Sequence, residues 1–344
     1  SDVMICRGFF LIYLPIVMAL ISFWRFLYIT ILKKGILNEK IILIGSGEIC
    51  QGIIDKINDQ IDCGFTLVAV VEESGNGRKL IIHDPDTARF DGYDNLYTKA
   101  IQAGVDKIVV AIREKRGAFP LEELLQCRVE GMEIIQGDTF YEMLTGKVIV
   151  SSTNPTWFIF SEGFKKTWLK MSLKRIEDVV SSLGLLVVLA PIILVTALVI
   201  KLDSKGPLIY AQERLGKRKR PYKVYKFRSM RTDAEKNTGP VWASKDDDRV
   251  TRVGHFIRKW RIDEIPQLWN VLRGDMSLVG PRPEREFFIN KLEEQIPYYS
   301  ERFSVKPGLT GWAQVCYGYG DSIEDAIEKL NYDLFYIKNI SIFM

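Results

Sequence analysis

Histidine is almost absent from this chain, with only His83 and His255 in 344 residues. That excludes a multi-histidine metal site and leaves few candidates for a histidine-based triad. The five cysteines (Cys6, Cys50, Cys63, Cys127, Cys316) are odd in number and contain no C-x-x-C. They read as reduced thiols of a cytosolic compartment, most of them small core residues. Excess charge is also scarce, at +4 net. This argues against a dedicated nucleic-acid wrapper and permits only a local basic patch. No internal repeat or low-complexity linker is evident. What is present is 47% hydrophobic and 26% charged residues, enough for packed cores. The length suits about two domains.

Two long apolar stretches stand out. The first, residues 8–32, ends in Lys33-Lys34. It is long enough to span about 30 Å of hydrocarbon, and no small-residue cleavage site follows it. Basic residues after it place the next domain in the cytoplasm. The chain lacks an initiator Met, so it is expected to begin inside a longer protein. The second stretch, residues 179–200, has basic flanks on both sides: Lys165, Lys166, Lys170, Lys174 and Arg175 before it, Lys201 and Lys205 after it. Both ends therefore favour the cytoplasmic side. Pro191 interrupts the middle, where it removes an N–H and clashes with the preceding turn. A helix that enters, breaks at Pro191 and returns to the same face satisfies these observations. An ordinary kinked spanning helix is the competing reading.

Residues 40–150 read as an α/β unit. The apolar runs Ile41–Ile44, 65–73, 105–114 and 132–136 are expected strands. Ile49, Ile53, Ile54 and Ile57 mark a helix after the first. Strand–helix alternation implies a parallel sheet. Gly45-Ser46-Gly47 hints at dinucleotide binding, with Glu72 or Glu73 as the ribose acid. However, Cys50 occupies the third fingerprint position. A structural or regulatory Rossmann-like domain is favoured over a bound NAD-type cofactor.

Residues 214–231 are rich in lysine and arginine, and Gly216 with Pro221 marks a turn there. Contact with anionic headgroups is one reading of this run. Lys226 and Arg228, beyond the turn, are instead suited to a phosphorylated substrate. Downstream, Ile265, Leu268, Trp269 and Leu272 follow a helical spacing. Pro266 fits only its first turn, which puts Asp263 and Glu264 at its N-terminal end, where the helix dipole favours ionised carboxylate. Such a carboxylate serves as nucleophile or as Mg²⁺ ligand. Arg258, Arg261 and Arg282 complete the parts needed for phosphoryl chemistry. The bland alternative is a capped helix whose acids pair with neighbouring arginines.

The motifs KRIEDVVSS, IKLDSKGPLIYAQERLG, YKVYKFRSM, RIDEIPQLWNVLRGDMSLVGPRPE, VKPGLTGWAQV and DLFYIKN run from Lys174 to Asn339. In this order they resemble the bacterial sugar transferases, which are polyprenyl-phosphate hexose-1-phosphate transferases. The segments 112–147 and 154–164 also look like the large, exopolysaccharide-linked members of that family. The resemblance implies transfer of a sugar-1-phosphate from a UDP-sugar to undecaprenyl phosphate, with UMP leaving first. It implies Asp263 as nucleophile and Glu264 as its partner, both associated with Mg²⁺. It implies Arg258, Arg282 and Asp333 around the phosphates, and Lys226 and Arg228 in a basic substrate-facing motif. Ala190-Pro191 stands where smaller relatives have Ser-Pro. The loop at 316–326 differs from theirs where sugar or nucleotide selection is expected. The C-terminal apolar motif stops at 340–344, earlier than in the family.

The expected fold class is α/β: a transmembrane helix (1–34), a Rossmann-like domain (39–150), a linker (151–173) and a mainly helical monotopic transferase domain (174–344). The re-entrant helix covers 178–201 with its break at Pro191. The expected partners are a UDP-sugar, undecaprenyl phosphate, the lipid bilayer and a second copy in a homodimer, with no nucleic acid. The expected location is the cytoplasmic face of the bacterial inner membrane. One rival is an NAD-dependent nucleotide-sugar epimerase or dehydratase, using Tyr222-x-x-x-Lys226. It requires both residues on one helical face, but that stretch reads as a strand. The other rival is a non-catalytic membrane scaffold or nucleotide sensor with a decayed transferase domain.

Overall fold

Unbroken apolar sequence makes the first element. In the computed structural model, helix α1 runs Asp2–Lys33, and its segment Tyr13–Ile31 is apolar and long enough to cross a bilayer. The structure describes residues 2–33, 38–60, 63–72, 80–82, 84–85, 87–112, 119–150, 163–232, 248–318, 320 and 322–341. Glu73, His83, the loop Ser74–Arg78 and most of the linker fall outside them. The chain divides into two units, Ser1–Gly146 and Lys147–Met344.

After α1, the first unit is a five-stranded parallel sheet of order β3-β2-β1-β4-β5. Its elements are β1 (Glu39–Gly45), α2 (Glu48–Asp59), β2 (Phe65–Glu72), β3 (Ala88–Asp91), α3 (Leu96–Ala103), β4 (Lys107–Ala111), α4 (Leu121–Val129), β5 (Glu133–Gln136) and α5 (Gly137–Thr145). Ile41–Ile44 are fully buried, as a central strand covered on both faces requires. The isoleucines of α2 form its buried face. The four expected strands are present. β3 adds a fifth that its sequence hides, because its residues alternate between half-buried and exposed without an apolar run.

In the second unit, Thr167 caps α6 (Trp168–Val188) by accepting from Lys170 N. After Leu189 the chain bends by 61° into α7 (Ala190–Asp203), with Pro191 in its first turn. Lys174, Asp178 and Ser182, each one turn apart, are buried, while Leu173, Ile176, Val180 and Leu183 are exposed. The helix pair therefore turns a polar stripe inward and an apolar surface outward.

Strands β6 (Ile209–Leu215) and β7 (Pro221–Phe227) form an antiparallel hairpin around the basic turn Lys217–Lys219. Then come α8 (Arg252–Lys259), α9 (Gln267–Arg273), β8 (Ser277–Val279), α10 (Glu286–Gln295), β9 (Gly308–Thr310), α11 (Trp312–Cys316) and α12 (Ile323–Lys338). A Ser322–Asp325 capping box starts α12, a motif that contributes about 1 kcal/mol. Its inner face carries Leu330, Leu334 and Ile337 into a core with Ile289 and Leu292 of α10 and Ile296 just beyond it. Val148 and Val150 join that core, held by Asn331, whose backbone and side-chain oxygens accept from their N–H groups.

Candidate active site

The carboxylates Asp263 and Glu264 lie in a tight turn between two short helices. Helix α8 is capped by Thr251, whose hydroxyl accepts from Gly254 N at 2.9 Å. Gly254 is required there, because a Cβ would lie 2.0 Å from the Ser229 carbonyl oxygen. The helix ends at Trp260, and Arg261 takes a left-handed conformation (φ 56°). A 3-10 turn, Ile262–Glu264, follows. Pro266 has no N–H, so the ladder restarts only with α9. A non-glycine residue held at positive φ beside paired acids is the kind of local strain found at functional sites.

Asp263 and Glu264 are both buried yet sit in different environments. Glu264 Oε1 accepts from Lys226 Nζ at 3.0 Å, Arg282 Nη2 at 3.0 Å and Arg261 Nη1 at 3.3 Å. Burial works to raise its pKa, but Arg282, Lys226 and Arg261 outweigh burial and hold the carboxyl down to about 2. Asp263 Oδ1 is buried with no hydrogen-bond partner among the described residues. Burial pushes the Asp263 carboxyl above the usual range, with Glu264 adding to it against Lys226 and Arg258. The helix dipole expected to keep Asp263 ionised is outweighed by this desolvation. Burial also lowers the Lys226 ammonium, opposed by Glu264.

Lys226, Asp263, Glu264 and Arg282 therefore meet, with Arg258 close enough to act on Asp263. Arg228 and Asp333 lie elsewhere. Arg228 donates to Ser204 O (2.7 Å), Ser204 Oγ (2.9 Å) and Lys205 O (2.9 Å), closing the C-terminus of α7. Gly206 gives it room, at φ +132° and with Arg228 Nη1 2.0 Å from where a Cβ would sit. Ile200, Phe227 and Ile257 add an apolar cluster, so the bent helix pair is fastened to the strand that carries Lys226. Asp333 is buried on α12 and pairs with Arg302 at 3.0 Å.

The face of α9 also differs from expectation. Gln267, Leu268, Asn270 and Val271 are buried, whereas Trp269 is 55% exposed. The reason is Asn270. Its Nδ2 donates to Lys223 O (2.7 Å) and its Oδ1 accepts from Tyr225 N (3.1 Å), so it acts as a surrogate strand along β7. The sequence signal was an amide in the middle of the apolar run LWNVL. Asn270→Leu should destabilise the protein by about 3 kcal/mol, since it orphans two backbone groups. The expected result is a lower thermal midpoint in detergent together with lost activity. An unchanged midpoint would remove Asn270 from this role.

Arg175, read only as a basic flank, and Asp178, present in KRIEDVVSS without an assigned role, prove to be tethers. Arg175 donates to Val271 O (2.5 Å) and Leu272 O (2.7 Å), and Asp178 accepts from Ser277 Oγ and Leu278 N. Together they tie α6 to α9 and β8.

Among the described residues, no group of three or more His, Cys, Asp or Glu gathers as a metal cage. The adjacent acids, with Asp263 Oδ1 unpaired, do fit Mg²⁺ as it is usually held, by one or two carboxylates plus substrate phosphates. The rival epimerase reading fails on geometry, because Tyr222 and Lys226 lie on strand β7, roughly 13 Å apart along it. In the sheet unit, Glu72 Oε1 accepts from Leu80 N at 3.3 Å and Gln51 exchanges hydrogen bonds with the Ile81 backbone, while Glu73 lies outside the described residues.

A family model described as bacterial sugar transferase matches residues 169–344. A UDP-N-acetylgalactosamine-undecaprenyl-phosphate N-acetylgalactosaminephosphotransferase of Aeromonas hydrophila is 38% identical over 240 residues, covering 70% of this chain and 56% of that protein. The chain thus spans little more than half of that relative. A UDP-glucose:undecaprenyl-phosphate glucose-1-phosphate transferase of Klebsiella pneumoniae is 31% identical over 99% of this chain and 70% of its own length. An exopolysaccharide production protein of Rhizobium leguminosarum is 45% identical over 51% of this chain and 90% of its own length. The matched half carries the paired acids and the cations that surround them, and the Klebsiella match extends through the sheet unit, so the chain belongs to the bacterial sugar transferase family.

Proposed function

We propose that this chain transfers a sugar-1-phosphate from a UDP-sugar to undecaprenyl phosphate, giving undecaprenyl-diphospho-sugar and UMP. The observation that carries this reading is the division between the two acids. Glu264 is pinned by three cations, while Asp263 presents a buried oxygen with no hydrogen-bond partner among the described residues. A desolvated, uncommitted carboxylate is a nucleophile. Asp263 Oδ1 attacks the phosphorus that bears the sugar, the P–O–P bond breaks, and UMP leaves with the bridging oxygen. A phosphate oxygen of undecaprenyl phosphate then attacks the same phosphorus and the Asp263 carboxylate is released. Two anionic substrates thus use one site in turn. Lys226, Arg282 and Arg258 hold the phosphates. Asp263 and Glu264 would hold Mg²⁺, which offsets diphosphate charge when bound.

The lipid substrate requires a membrane. The bend at Leu189, with exposed apolar side chains such as Val187, Val188, Leu194 and Leu198 around it, supports a re-entrant pair that dips into one leaflet. Phe256, Trp260 and Trp269 are exposed on the elements flanking the acids, and such aromatics favour the headgroup level. On this reading the reaction takes place at the cytoplasmic face of the bacterial inner membrane and begins exopolysaccharide or related glycan assembly; the basic residues flanking the helix pair on both sides support that face. The relatives' names give both glucose and N-acetylgalactosamine, so the sugar is chosen by experiment. Membrane-extracted protein should release UMP from one member of a UDP-sugar panel, continuously only with undecaprenyl phosphate and Mg²⁺ present. No release from any member would reject the reading.

A further inference from the structure

The segment 281–284 presents four successive backbone carbonyls, and each accepts from a different donor. Gly308 N donates to Pro281 O (2.9 Å), Arg302 Nη2 to Arg282 O (3.0 Å), Arg214 Nη1 to Pro283 O (3.2 Å) and Leu215 N to Glu284 O (3.3 Å). Pro281 and Pro283 fix φ on either side of Arg282. From this clamped backbone the Arg282 guanidinium meets Glu264 Oε1 at 3.0 Å.

The donor to Arg282 O is the unusual one. Arg302 is buried, its Nη2 also pairs with buried Asp333 Oδ2 at 3.0 Å, and its Nη1 donates to Tyr299 Oη. The Tyr299 ring lies 5.0 Å from the guanidinium carbon. A buried ion pair is weak as a source of stability, because apolar side chains of similar size usually do as well. What it supplies here is a directed donor that an apolar residue lacks. A continuous chain results: Asp333 orients Arg302, Arg302 holds the Arg282 carbonyl, and Arg282 reaches Glu264.

We propose that Arg302 and Asp333 are positioning residues, fixing the backbone from which Arg282 meets Glu264 and the diphosphate, and touching no substrate themselves. This rests on the transfer reading above for the role of Arg282. It assigns a task to Arg302, which no motif singled out, and explains how Asp333 serves the site from a distance.

A double-mutant cycle tests it in the full chain. Arg302→Met and Arg282→Ala are made singly and together. UMP release and equilibrium binding of UDP are both measured. Arg302→Met alone should lower kcat/KM on the order of 100-fold, the usual cost of a small misplacement. In the Arg282→Ala background it should add less than about a twofold loss, because the group it positions is gone. Arg302→Lys, which keeps a donor, should recover part of the single-mutant loss. Multiplying losses, or no loss from Arg302→Met, would overturn the proposal. If Arg302→Met fails to fold, Asp333→Asn takes its place in the same cycle with the same criteria. Wild-type protein that binds UDP but releases no UMP would count against the transfer reading, and the binding cycle would still decide the positioning role.

Discussion

Asp263→Asn is expected to lower turnover on the order of 10⁴-fold or more, with no loss of fold. The amide has the shape of the carboxyl but lacks the charge that attacks phosphorus. The prediction on stability is just as specific. The folded pKa of Asp263 is raised, so its ionised form costs folding free energy. That cost is absent below the ordinary value of 3.8, grows as pH rises from there to the folded pKa, and is constant above it. Asn removes it, and no hydrogen bond to Oδ1 is lost. The variant should therefore be inactive and have a thermal midpoint at neutral pH equal to or above that of the parent. A second measurement ties the loss to covalent chemistry. With a UDP-sugar radiolabelled in the sugar and no undecaprenyl phosphate, the parent should acquire protein-bound label that hydroxylamine removes, as an acyl phosphate requires. Asp263→Asn should acquire none. Label retained by Asp263→Asn would exclude Asp263 as the attacking group.

How much of this was legible before the structure depends on the kind of signal. β1, β2, β4 and β5 were readable because central parallel strands are continuous apolar runs, and Ile41–Ile44 is one. β3 was not, because an edge strand with exposed residues carries no such run. Asp263, Glu264, Lys226 and Arg282 were named together from charge pattern and resemblance, and they do meet. Arg228 was named with them because it shares with Lys226 the basic motif past the turn, which the resemblance makes substrate-facing. Residues two apart on a strand share a face, yet Arg228 lies just past the end of β7 and turns to the carbonyls ending α7. Trp269 was assigned to the buried face and Asn270 was overlooked for one reason. Helical periodicity ranks residues by hydrophobicity, whereas the site needed two hydrogen bonds to a strand edge. Arg302 gave no motif signal, since two of its three partners lie far off in sequence, on α12 and in the 281–284 segment, and only Tyr299 is local.

Glu264→Gln should cost roughly 10²–10³-fold in kcat/KM, the scale of removing one electrostatic anchor from a site. In the parent, one oxygen gathers Lys226, Arg261 and Arg282, and without its charge three cations are left to repel one another. The pH dependence distinguishes this from simple misfolding. Glu264 helps raise Asp263, so its neutralisation lowers the Asp263 pKa. Activity requires ionised Asp263, so the acid limb of kcat/KM should move to lower pH in Glu264→Gln even as its plateau falls. Stability should change with the opposite sign from Asp263. The folded value for Glu264, about 2, lies below its ordinary 4.5, so its contribution is present above 4.5 and is lost as pH falls through about 2. Gln removes a contribution on the order of 3 kcal/mol, and the variant should unfold at a lower urea concentration than the parent at pH 7, with the gap closing as pH drops. An acid limb that stays in place would mean that a group other than Asp263 sets it, and the division of labour between the two acids would have to be redrawn.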